Sequence, residues 1–166
     1  HANLKKKYKN IVSKIIPRHI HRADEIKQEL NLNGLKVHLH ASNKTINSDT
    51  DIYLVDTFGE TKSFLKLSKI AFIGKSIFAH GGQNPLEAAR LGNRIIHGPN
   101  IENFIEVYDF IKKQGISTKI KSYKDLENLV VKFDRKKNYS QQIIKKLAYT
   151  GNQILLNNEK EINKYC

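Results

Sequence analysis

The chain has 166 residues, 39% hydrophobic and 27% charged, enough for a buried core and too mixed for a disordered or collagen-like polymer. Lys and Arg number 29 against 16 Asp and Glu, a formal charge of +13, so an anionic partner is expected: nucleic acid, a membrane surface or a phosphorylated ligand. The single cysteine, Cys166, excludes a disulfide framework within the chain and suits a reducing, cytoplasmic setting, and no apolar run approaches the roughly 20 residues that span a bilayer.

The opening HANLKKKYKN reads as the last turns of a helix with Asn10 as its stop, and from it we expect the chain to be part of a longer protein. The β-branched run IVSKII, residues 11–16, predicts a first strand ended by Pro17. A loop at 17–19 leads to a short helix over 23–30, with Ala23, Ile26 and Leu30 as its apolar side. Asn33-Gly34 is a stop, and LKVHL at 35–39 alternates as a strand does. Residues 42–51 form a polar loop before IYLV, 52–55, a compact buried strand closed by a turn at Phe58-Gly59.

Residues 60–68 fit a helix with Phe64, Leu65 and Leu67 as its apolar residues, and IAFI, 70–73, is a strand ended by Gly74. The paired glycines Gly81 and Gly82 precede a helix over 85–91, with Pro85 at its first position. Gly92-Asn93 stops that helix before the strand RIIH at 94–97. Residues 103–113 carry Phe104, Val107, Tyr108 and Ile111 in one stripe, and a strand over 116–120 follows. Helices at 124–133 and about 140–158 finish the chain, turning Leu126, Leu129, Val130 and then Ile143, Ile144, Leu147, Ile154 and Leu155 inward.

Strand followed by helix, repeated with short connections, predicts an α/β fold: a parallel sheet with helices on both faces. In such sheets ligands bind beyond the carboxyl ends of the strands, so the informative loops are 17–19, 56–60 and 74–87. HGGQNPLEA, residues 80–88, combines two glycines that allow close backbone approach with a helix start whose N–H groups suit phosphate. Asn84 and Glu87 lie at capping-box spacing and serve equally as ordinary caps, while Glu87 also suits the two hydroxyls of a ribose. In DTFGET, Gly59, Glu60 and Thr61 stand at a strand-to-helix junction that either holds a phosphate or base edge or is a plain helix start capped by Thr57. Arg18, at a strand end, offers a forked donor for phosphate or carboxylate. His19 and His80 read as structural or solvated. The seven histidines lack His-x-x-x-His or Cys/His spacing, so no metal is expected; a cofactor of another kind is not expected either. The chain also lacks G-x-x-x-x-G-K-[ST] and G-x-S-x-G, which removes the commonest NTPase and hydrolase readings.

Taken together, IIPRH, VDTFGE and IAFIGKSIFAHGGQNPLEAARLGNRIIHGPN resemble the bacterial 3-deoxy-D-manno-octulosonic acid (Kdo) transferases in order and spacing, from about residue 11 to residue 113. The resemblance implies that residues 1–166 are a single Rossmann-like nucleotide-sugar-binding domain, the C-terminal half of a GT-B glycosyltransferase, without the N-terminal acceptor domain. It implies an inverting, metal-independent transfer of Kdo from CMP-Kdo to lipid A precursor, at the cytoplasmic side of the bacterial inner membrane and with no nucleic acid partner. Carried over by position, Pro17, Arg18, Phe58, Gly59 and Glu60 contact the CMP moiety, and Asn84, Pro85, Leu86 and Glu87 hold phosphate and ribose. The catalytic base is implied to lie in the acceptor domain, so this chain alone is expected not to turn over.

The chain departs from the family's usual residues at several positions, and the residues after His19 differ from the usual proline-glutamate-arginine run. Phe58 stands for methionine, Gln83 for a second histidine and Lys75 for glycine. The run Lys5, Lys6, Lys7, Lys9 and the cluster Arg135-Lys136-Lys137 suit an anionic lipid surface or plain solvation. Two other classes remain open: a GT-B glycosyltransferase or epimerase using a UDP-sugar, and a basic Rossmann-like module that binds nucleic acid.

Overall fold

The computed structural model describes residues 1–42, 44–133 and 139–162. The cluster at 135–137 and Cys166 lie outside the described residues. The chain divides into two compact units, His1–Phe64 and Leu65–Cys166. The architecture is α/β, parallel sheets with helices on both sides.

In the first unit, helix α1 (Ala2–Lys7) ends at Tyr8, two residues before the expected stop at Asn10. Lys5 Nζ lies 2.6 Å from Asp51 Oδ1. Strands β1 (Ser13–Ile15), β2 (Val37–Leu39) and β3 (Ile52–Leu54) form a parallel ladder in the order β1-β3-β2. Each strand is a three-residue part of its predicted run, because only three residues of each find a partner across the ladder. Helix α2 (Ala23–Leu32) makes the crossover between β1 and β2. Ile52, Leu54, Val55, Ala23 and Phe64 are buried, as a short sheet closed by an apolar strand requires. Asp51, also buried, accepts from the Lys36 backbone N–H at 2.8 Å, which fixes the entry of β2 beside β3. That bond, then Lys5, holds its carboxyl below the usual range.

Helix α3 (Thr61–Lys66) leads from the first unit into the second. Its Leu67 neighbour, expected in the core, is 72% exposed, because the helix has already ended at Lys66 and the chain turns outward. Strands β4 (Ile70–Ile73), β5 (Arg94–His97) and β6 (Ser117–Lys119) form the second parallel ladder, with β5 central. Helices α4 (Leu86–Arg90), α5 (Ile105–Lys113), α6 (Tyr123–Lys132) and α7 (Tyr139–Ile162) complete this unit.

Ala88, Ala89, Ile95, Tyr108, Ile111, Ile116 and Ile143 make the core of the second unit, with Leu147 packed against it. Each large side chain there contributes roughly 1.5–3 kcal/mol of apolar burial. Asn93, fully buried, donates to the carbonyls of Leu65 (3.0 Å) and Ser68 (2.6 Å), pinning the entrance of β5. A capping box starts α6, with Asp125 N donating to Ser122 Oγ and Ser122 N to Asp125 Oδ2. The stripe expected along the last helix divides in two. Ile143 is buried and Leu147 half-buried, but Ile144, Ile154 and Leu155 are exposed. The helix touches α4 and β5 near its start. Residues 151–161 stand exposed along their length.

Candidate functional site

Parallel pairing decides which loops share an edge. In the first unit Ile15 and Leu39 both lie opposite Leu54, so the loops after β1, β2 and β3 all leave from the carboxyl edge of that sheet. Pro17 is half-buried just past β1, and the exposed Arg18 next to it forms no ion pair among the described residues. After β3 the chain turns at Gly59 (φ +80°), leaving the Phe58 ring 77% exposed.

Glu60 is the most constrained group on this edge. Its Oε2 accepts from the Thr57 hydroxyl and lies 2.9 Å from His40 Nε2. His40 Nδ1 lies in turn 2.6 Å from the Tyr53 hydroxyl. The Thr57 bond, with His40 adding to it, holds the Glu60 carboxyl below the usual range against the opposing effect of partial desolvation. A plain helix start capped by Thr57 is one of the two readings of this junction; the Thr57 hydroxyl donates to the Glu60 carboxylate, a charged acceptor. Phe64 stands edge-on to the His40 ring at 5.0 Å, and His38 stacks on Tyr53 at 5.2 Å.

In the second unit Ile73 and Lys119 both lie opposite His97, so the glycine-rich loop after β4 shares an edge with the segment after β5. The two segments are tied together. Gly98 N donates to Ser76 Oγ (2.8 Å), Asn100 N to the Ser76 carbonyl (2.9 Å) and Asn100 Nδ2 to the Ile77 carbonyl (2.9 Å). Gly81 N donates to Glu102 Oε2 at 2.8 Å, and the Tyr108 hydroxyl to the Gln83 carbonyl at 3.0 Å.

The glycines are thereby accounted for. A Cβ on Gly98 would lie 2.0 Å from the Ser76 carbonyl oxygen, and one on Gly82 (φ +63°) would lie 2.9 Å from the Asn100 carbonyl oxygen. The close approach predicted for the glycine pair is an approach to the protein's own 100–103 segment. At the base of the loop, burial lowers the His97 pKa and pushes the Tyr108 phenol up to about 12, with the two rings 4.3 Å apart.

Helix α4 begins at Leu86, with Pro85 buried at the N-cap rather than at the expected first helical position. Pro85 has no hydroxyl or carboxylate with which to cap. Asn84, one residue earlier, does so by accepting from Leu86 N–H at 2.9 Å. Its own side chain and that of Glu87 are exposed, and Leu86 is half-buried. His80 is exposed, 3.7 Å from Glu102 Oε1. A cavity of about 130 Å³ lined by Ile70, Arg94, Ile96, Leu129, Lys132 and Phe133 lies toward the amino ends of β4 and β5, away from these loops. No three His, Cys, Asp or Glu side chains gather as a metal centre requires among the described residues.

Sequence reasoning missed His40 and Tyr53. They stand 13 residues apart and meet only because β2 and β3 pair, and the one available signal was that His40 directly follows an alternating strand.

No family model matches the chain. It is 33% identical over 162 residues to the 3-deoxy-D-manno-octulosonic acid transferase of Rickettsia prowazekii, an alignment covering 96% of this chain and 34% of that protein. It is 32% identical over 117 residues to the transferase of the same name from Haemophilus influenzae, covering 70% of this chain and 27% of that one. Among solved structures it matches the C-terminal CMP-Kdo binding domain of WaaA from Acinetobacter baumannii with a TM-score of 0.77, at 24% identity, over 88% of this chain and 78% of that one. The fold is therefore that of the WaaA C-terminal domain. The chain spans about a third of the length of the curated relatives it matches. Over nearly its whole length, this chain is homologous to the 3-deoxy-D-manno-octulosonic acid transferases.

Proposed function

We propose that this chain is the donor-binding domain of a Kdo transferase, holding CMP-Kdo while the sugar passes to a lipid A precursor. The observation that carries the reading is the transferase homology over 96% of the chain, in which the matching motifs follow the carboxyl ends of β1, β3 and β4. In the first unit, Arg18 is an exposed cation with no ion pair among the described residues and suits phosphate, and Pro17, Phe58, Gly59 and Glu60 supply contacts to the nucleotide. In the second, the N–H groups at the start of α4 suit phosphate, and the exposed Glu87 carboxylate suits ribose hydroxyls, with Asn84, Pro85 and Leu86 shaping the turn.

The reaction we propose is an inverting substitution without a metal. The acceptor hydroxyl attacks the ketose anomeric carbon as the bond to the CMP phosphate breaks, and a carboxylate in the acceptor domain takes the hydroxyl proton. Arg18 stabilises negative charge as it grows on the departing phosphate. With no base of its own for that step, this chain alone does not turn over. The transfer takes place at the cytoplasmic face of the inner membrane. No helix among the described residues is long and apolar enough to cross a membrane, and the +13 charge suits an anionic surface.

Calorimetry with CMP, UMP and UDP tests the assignment. CMP should bind best, and Arg18→Ala and Glu87→Ala should each weaken it about tenfold, the worth of a hydrogen bond to a charged group. A preference for a uridine nucleotide, or CMP binding at parent strength by both variants, would overturn it.

A further inference from the structure

We propose that His40 is a positioning residue: braced by Tyr53, it fixes the Glu60 carboxylate so that Oε1 faces the ligand. The proposal rests on the reading of Glu60 as a nucleotide contact. A neutral imidazole has one donor and one acceptor nitrogen. With the Tyr53 hydroxyl donating to Nδ1, the ring proton resides on Nε2 and points at Glu60 Oε2. The reverse tautomer would set a lone pair against the carboxylate, so Glu60 selects the useful form, and the Tyr53 hydroxyl, donating to Nδ1, braces the ring in it. A doubly protonated ring donates to Glu60 as well.

Thr57 approaches the same oxygen, so both contacts fall on Oε2 and neither uses Oε1. Glu carries one of the largest rotamer entropies of any side chain, and two donors on one oxygen remove most of it before a ligand arrives. The support is itself held in place. His40 directly follows β2 and lies edge-on to Phe64, while Tyr53 sits mid-strand in β3, paired with His38. An Oε1 held in this way is an acceptor for a hydroxyl or amino group of the nucleotide.

The test is a double-mutant cycle read by calorimetry with CMP on the 166-residue chain. Glu60→Ala and His40→Ala should each weaken binding about tenfold. His40→Gln should recover most of the loss, because its amide N–H reaches where the ring Nε2–H stood. In the Glu60→Ala background, His40→Ala should change affinity by less than about twofold, since the two act as one unit. A merely structural His40 predicts the opposite: no rescue by glutamine and losses that multiply, and either result would overturn the proposal. If His40→Ala does not fold, Tyr53→Phe replaces it. Loss of that hydroxyl should weaken CMP about threefold, and parent-like binding would overturn the relay. If Glu60→Ala weakens CMP and His40→Ala does not, the relay alone falls. If Glu60→Ala binds as the parent does, or the parent binds no CMP, the nucleotide reading falls and takes the relay with it.

Discussion

Lys75 has a φ of +63°, and among the described residues it is the one non-glycine in the left-handed region. A lysine there brings its Cβ against its own backbone, a strain of about 1–2 kcal/mol that glycine lacks. The transferases that the sequence resembles usually place glycine at this position, so the departure has a measurable energy. Lys75→Gly should raise stability by about 1 kcal/mol in urea unfolding, because the exposed side chain contributes little in return. An unchanged midpoint would show that the strain is relieved elsewhere. Arg18, Glu60 and Glu87 were legible as candidates one at a time, since each is reachable from a strand end. Their roles were less so. Whether the Thr57 hydroxyl meets a backbone N–H or the Glu60 carboxylate depends on distances that spacing along the chain does not contain.

At the scale of elements, α7 separates what periodicity reports from what it omits. The same apolar spacing runs through both halves of the helix, yet Ile143 is 7% exposed and Ile154 is 51% exposed. Periodicity fixes which side of a helix is apolar; only tertiary packing decides whether anything covers it. Ile143→Ala should therefore cost about 2–4 kcal/mol in unfolding free energy, while Ile154→Ala should stay within about 0.5 kcal/mol. Comparable losses at both positions would mean that the second half is covered in solution. The strands were read from their β-branched runs with little error, and RIIH matches β5 residue for residue. Helix starts were read less closely. Pro85 at the N-cap shifts α4 by one position because Asn84 caps from outside the helix.

For the whole molecule, the excess of 29 basic over 16 acidic residues is the property sequence reads without error. On the proposed membrane-face reading, the chain should co-sediment with phosphatidylglycerol vesicles at low salt and be released at high salt. The Debye length shrinks from about 30 Å at 0.01 M to about 3 Å at 1 M, which removes the attraction. Equal retention on uncharged phosphatidylcholine would argue against it. Parallel pairing was also legible, because short strands alternating with helices leave few other topologies, whereas the expected single sheet is divided into two three-stranded ladders, one in each unit.

Ser76, Gly81 and Gln83 are each tied to groups beyond β5, at Gly98, Glu102 and Tyr108. A loop left loose until its guest arrives would surrender about 1–2 kcal/mol of backbone freedom per residue at that moment. Here most of that ordering is completed when the second unit folds. On the proposed reading, a guest at the start of α4 meets a mould already cast, and its affinity answers to the groups it touches rather than to the disorder it must quell.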